Sequence, residues 1–157
     1  MGDDKPARPM ANLVTAAREG NVTVHMTPED FVYIDRDCEY FKRTIRRIQT
    51  TMDEVARQPH WGLGENNSDM VSAYTLVDRF RNKAKGAGDN NSVYAVMEDH
   101  YRIVEDIQET YKIVRDRMTQ ADSDFAAEYN RLNTTLPDRP PAQLPVGPAL
   151  LPDGTGR

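Results

Sequence analysis

From Phe31 onward the apolar residues recur at alternating steps of three and four: Phe31, Ile34, Cys38, Phe41, Ile45, Ile48, Met52 and Val55. That period predicts a helix that stays apolar on one side for about seven turns and lies against another helix along its length. "TPED" supplies its start. Thr27 suits the cap, Pro28 the first helical position, and Glu29 and Asp30 the positive end of the helix dipole. Pro59 bounds the other side, so the reading is a helix over 28–58, roughly 46 Å long. A helix this polar needs a packed partner to persist.

Two further patterns follow. Met70, Ala73, Val77, Phe80 and Ala84 share one face and predict a helix over 68–85, which "GAGDNN" then interrupts. Gly86 and Gly88 are helix stops, and Asn90, Asn91 and Ser92 offer caps for the next helix. The third seam runs through Val93, Met97, His100, Val104, Ile107, Tyr111, Val114, Met118, Ala121 and Phe125, with Leu132 extending it. It predicts one helix over 92–132, roughly 61 Å if straight. Apart from the brief alternation of Val22 and Val24, nothing reads as a strand. The fold class expected is therefore all-α, an elongated helical hairpin or three-helix bundle with disordered ends.

The ends differ from the middle. Residues 1–20 are polar with one apolar patch (Leu13, Val14, Ala16, Ala17), read as a flexible segment with a short, weakly held helix. The helical domain spans 21–133. Residues 134–157 carry six of the ten prolines and read as a Pro-rich disordered tail.

Composition narrows the function classes. Only 38% of the residues are hydrophobic and 29% are charged, which fits a narrow helical core better than a thick mixed sheet. A net charge of -5 argues against nucleic acid as a partner, because phosphate binding needs net basic surface. No apolar run reaches the roughly 18 residues of a membrane span. The stretch "MGDDKPARPM" has no apolar core of a Sec-type signal peptide, and the single cysteine, Cys38, excludes an internal disulfide.

No catalytic grouping emerges. His25, His60 and His100 lack metal-ligand spacing with one another or with Cys38, and neither Gly-rich turn follows a strand or carries a P-loop lysine. No enzyme activity, cofactor or metal is expected. His100 reads as a satisfied seam histidine. The pairs Glu98/Asp99, Glu105/Asp106 and Asp122/Asp124 read as a solvated flank. Two features are more distinctive. Lys42, Arg43, Arg46 and Arg47 put positive charge midway along the first helix, while the third holds nine acids against five bases. These charges either flank the seams and fix register or form a docking patch for an acidic partner. The second feature is "RQPHWGLGENNSD", which places the only tryptophan, Trp61, in a corner with Gly62 and Gly64. The indole caps the end of the bundle, marks a recognition surface, or does both.

Helix, Trp-Gly corner and helix together resemble type VII (ESX) secretion substrates of the Trp-X-Gly superfamily, most of all the longer EspC-type members. The likeness covers about residues 21–132 and rests on "NVTVHMTPEDF", "HWGLGEN", "NSVYAVMEDH" and "RMTQADSDFAAEYNRL". It implies a non-enzymatic helical hairpin, typical of actinobacteria, exported without a cleaved signal as a homo- or heterodimer with a helical partner. It also implies recognition by an export ATPase of a Trp-X-Gly turn in one chain beside a Tyr-x-x-x-Asp/Glu motif after the second helix. In this chain glycine falls one and three places after Trp61. At the position of the export motif stand Met118 and Asp122, with methionine where the family has tyrosine; Tyr101 and Glu105 supply an alternative match. The location implied is cytoplasmic before export, then secreted or held at the cell envelope. The alternative reading is a cytosolic coiled-coil adaptor or scaffold with no export role, which the same heptads support.

Overall fold

The computed structural model describes residues 8–140, and the expectations for residues 1–7 and for the tail from 141 onward lie outside the described residues. The described chain is all-α. It has five helices rather than the three expected: α1 (Ala11–Glu19), α2 (Pro28–Arg57), α3 (Val71–Ala84), α4 (Val93–Ala121) and α5 (Ser123–Thr135).

Local chemistry sets most boundaries. Thr27 and Asp30 form a reciprocal capping box at the start of α2, with Pro28 in the first turn. α3 begins at Val71 rather than 68, because Asn67 first closes a turn by accepting the amides of Asp69 and Met70. Past its C-cap at Lys85, Gly86 takes a φ of 117°, a conformation L side chains rarely adopt. The Ser92 hydroxyl then accepts the Ala95 amide to open α4.

α2 and α4 are antiparallel. Asp35 lies by Gln108 and Lys112, Arg46 by Glu98, and Gln49 by Tyr94, so position falls along α4 as it rises along α2. At about 1.5 Å per residue each is close to 45 Å long.

The expected single helix over 92–132 is not formed. α4 stops at Ala121, and Asp122 adopts extended backbone (φ -137°, ψ 112°). Its carboxylate accepts the amides of Asp124 and Phe125, capping a new helix. α5 then folds back parallel to α2, so that Phe125 meets Phe31 edge-on at 5.9 Å and Arg115 of α4 reaches the Tyr129 hydroxyl at 3.0 Å. The apolar period continues through the break because Phe125 still serves the same core, from a reversed helix.

Residues 11–19 are also more firmly placed than a weakly held helix. Val14 and Ala17 are buried, and α1 runs parallel to α4. Arg8 pairs with Asp106 and Glu109, the Met10 amide donates to Asp106 at 2.9 Å, and Arg18 pairs with Glu109. Asp106 is thus fully buried, which corrects the solvated-flank reading for that residue: the surface around it is covered by α1. His100 is corrected in the other direction. It is exposed, its Nδ1 against the Val96 carbonyl, because at that level α4 has only α2 beside it and the buried stripe has turned away.

The core centres on Ala17, Phe31 and Val114, with Tyr111, Met118, Phe125 and Tyr129 packed around it. Four helices enclose that end. The other end has only α2, the start of α4 and the shorter α3, which meets the last turns of α2. All eleven exposed large hydrophobic side chains among the described residues fall between Tyr40 and Val96. The molecule has one sealed end and one open end.

Candidate functional site

The corner after α2 lies at the open end, and it is an ordered turn. Gly62 (φ 72°) and Gly64 (φ 86°) take left-handed backbone that a side chain would strain, and a Cβ on Gly64 would fall 2.6 Å from the Met70 sulfur. Between them the chain wraps a carboxylate: Glu65 accepts the Trp61 amide at 2.5 Å and the Leu63 amide at 2.9 Å. These backbone donors, Trp61 first, hold the Glu65 carboxyl at about 2, well below its ordinary 4.5.

The half-buried Trp61 indole stacks on Phe80 of α3, with centroids 5.8 Å apart and planes 12° from parallel, and its ring N–H donates to the Gln58 carbonyl at 3.2 Å. Arg81 donates to that same carbonyl at 2.8 Å. The tryptophan therefore ties α3 to the end of α2.

The four basic residues of α2 separate into two pairs by what they touch. Lys42 is engaged with Glu39 at 2.8 Å. Arg46 reaches Glu98 of α4 at 2.6 Å and lies 3.8 Å above the Tyr101 ring. Glu98 is held below the usual carboxylate range, first by Gln49 and then by Arg46. Arg43 and Arg47, in contrast, are exposed and make no ion pair or side-chain hydrogen bond among the described residues. They border an open groove of about 560 Å³ between α2 and α4, with Thr50 and Tyr101 also on its wall. Tyr40 (39% exposed), Phe41 (48%) and Ile48 (36%) are also exposed on α2, but none of them lines this groove.

Met118 and Asp122 sit together at the far end of α4, one turn apart, with the Asp122 amide on the Met118 carbonyl at 2.9 Å. Met118 packs on the sealed core and Asp122 caps α5. Because α2 and α4 are antiparallel, these two lie at the opposite end from Trp61. Tyr101 lies under Arg46, and Glu105, one turn on, is exposed.

Two features escaped the sequence reading. Glu65 is four residues from the amide it binds, a local spacing that a glycine-flanked turn makes legible in retrospect. Asp106 and Arg8 are ninety-eight residues apart, and no local signal joins them. Among the described residues no cluster of three His, Cys, Asp or Glu side chains could hold a metal ion, and no helix is long and apolar enough to cross a membrane.

The arrangement defines a class: an all-α chain closed at one end and unpartnered at the other, with a fixed tryptophan corner and a two-arginine groove on the unpartnered half. No protein-family model, curated protein or solved structure matches the chain.

Proposed function

We propose that this is a non-enzymatic helical protein of a type VII (ESX-like) secretion pathway, acting as a secreted substrate or co-secreted partner through helix–helix association. The observation that carries the reading is the one-sided distribution of exposed apolar side chains, from Tyr40 on α2 through α3 to Val96 on α4. Exposed apolar surface concentrated in this way marks an interaction site, and here it surrounds the Trp61 corner. The resemblance to Trp-X-Gly secretion substrates implies a recognition turn at that position. The partner is a second helical chain, in a homo- or heterodimer, and an export ATPase is the machinery that reads the pair. The protein is cytoplasmic before export and afterwards secreted or held at the envelope.

The test is mass spectrometry of culture filtrate and lysate from the native host, with and without its type VII ATPase. Appearance in the filtrate that depends on the ATPase supports the proposal. Retention in the lysate in both strains rejects export and favours the cytosolic coiled-coil adaptor, a reading that the exposed apolar face supports equally.

A further inference from the structure

We infer that residues 141–147 of this chain, which lie outside the described residues, dock in extended form along the outer face of α2, held by Arg43 and Arg47. The last described residues already lie on that helix. The Arg36 guanidinium donates to three backbone carbonyls beyond or near the end of α5: Asn133 at 3.3 Å, Leu136 at 3.1 Å and Pro137 at 3.2 Å. The Tyr33 hydroxyl donates to the same Pro137 carbonyl at 3.5 Å. Arg139 then lies 3.7 Å above the Tyr33 ring and pairs with Asp37 at 3.5 Å. From Asp138 and Arg139 a groove of about 440 Å³ continues past Asp37 and Tyr40 to Arg43.

Tyr33, Arg36, Tyr40, Arg43 and Arg47 recur at steps of three and four, so they share one stripe of α2. That stripe faces away from the buried Phe31, Cys38 and Ile45. Arg43 and Arg47 follow Arg36 by two and three turns, and neither has an ion pair or side-chain hydrogen bond among the described residues. In the other direction the exposed residues are Glu29 and Asp30, which repel carbonyl oxygens. The acids on the groove walls are already paired: Asp35 with Lys112, Asp37 with Arg139 and Glu39 with Lys42.

The segment suits the groove. Residues 140–151 read "PPAQLPVGPALL", with four prolines and no charge. An extended proline-rich chain makes no internal hydrogen bonds, so its carbonyls are open to outside donors. Such chains also pack on aromatic-lined grooves, here offered by Tyr33 and Tyr40. Arg43 and Arg47 would thus repeat what Arg36 does for Leu136 and Pro137. Asp37 to Arg47 is about 15 Å along the helix, which about five extended residues cover at 3.1 Å each. Pro140 to Gly147 is therefore long enough. Phe41 and Ile48 lie on another side of α2 and stay uncovered, left for the second chain if the proposed helix–helix association holds.

The experiment is paramagnetic NMR on the full isotope-labelled chain, with a nitroxide on Gln143→Cys in a Cys38→Ala background. The amides of residues 40–47 should lose most of their signal, while those of Val71–Ala84 keep theirs. Arg43→Glu/Arg47→Glu removes both donors and should restore the lost signals with circular dichroism unchanged. Pro141→Gly/Pro145→Gly touches no helix, raises the cost of ordering the segment and should restore them in part. Broadening confined to the neighbours of Arg139, or broadening over residues 40–47 that both variants leave unchanged, overturns the inference. A mixture of nitroxide-bearing unlabelled chain with nitroxide-free labelled chain separates the sources. Broadening of residues 40–47 there assigns the groove to a second copy and overturns docking within one chain. None of these readings involves secretion or a partner, so failure of the proposed function leaves them interpretable.

Discussion

Replacing Asp106 with alanine leaves the Met10 amide without an acceptor and frees one side of the Arg8 guanidinium, at a site where the carboxylate is fully buried. Stranding a buried donor costs about 1–3 kcal/mol. Asp106→Ala should therefore lose about that much stability in urea unfolding, and the amides of Ala11–Glu19 should lose their hydrogen-exchange protection first. An unchanged midpoint would mean that Val14, Ala17 and the ion pairs to Glu109 hold α1 without Asp106. Glu65 makes a different kind of contribution. Backbone donors hold its carboxyl at about 2 against an ordinary 4.5. A depressed folded-state value means the ionised form is favoured in the turn, so its hold on the corner is complete above about pH 4.5 and is lost as the pH falls toward 2. Trp61 emission should shift across that window, and Glu65→Ala should show the low-pH emission already at pH 7. Identical titrations for the two proteins would sink the assignment.

Between elements, Trp61 joins α3 to α2. A fully buried tryptophan truncated to alanine costs 3–5 kcal/mol. Trp61 is half-buried, so Trp61→Ala should cost about 2, with helical circular dichroism nearly unchanged and faster exchange confined to Val71–Ala84. A large loss of helical signal would show that the corner supports the whole fold. Elements whose ends are set by nearby residues were legible from sequence: the Thr27 cap and Pro28 for α2, Gly86 after α3, Ser92 for α4. The break at Asp122 was not, because the apolar rhythm runs on into Phe125 whether the chain continues or reverses. α1 was underestimated for a related reason. Its buried residues are small, and its anchor, Asp106, lies far along the chain among acids that pattern alone assigns to solvent. At the candidate site, sequence marked the tryptophan corner and the basic cluster. Only the packing of α4 on α2 separates Arg46, tied to Glu98, from Arg43 and Arg47, which are tied to nothing among the described residues.

At the scale of the molecule the sealed and open ends differ in cover. α1 and α5 enclose Phe31 and Val114, and α3 alone covers less at the other end. Tyr74 stays 59% exposed and Val71 68%. A half-covered bundle with exposed apolar positions on three helices gains stability when a further helix buries them. The central claim is that this end is a binding face. Its most direct test is site-specific photo-crosslinking in the native host. A benzophenone residue is placed in turn at Ile48 and Tyr74 on the open end, and at Thr119 and Asn130 on the sealed end. The account predicts a discrete adduct of higher mass from Ile48 and Tyr74 and none from Thr119 or Asn130. Adducts of equal yield from both ends, or none from the open end, would contradict it.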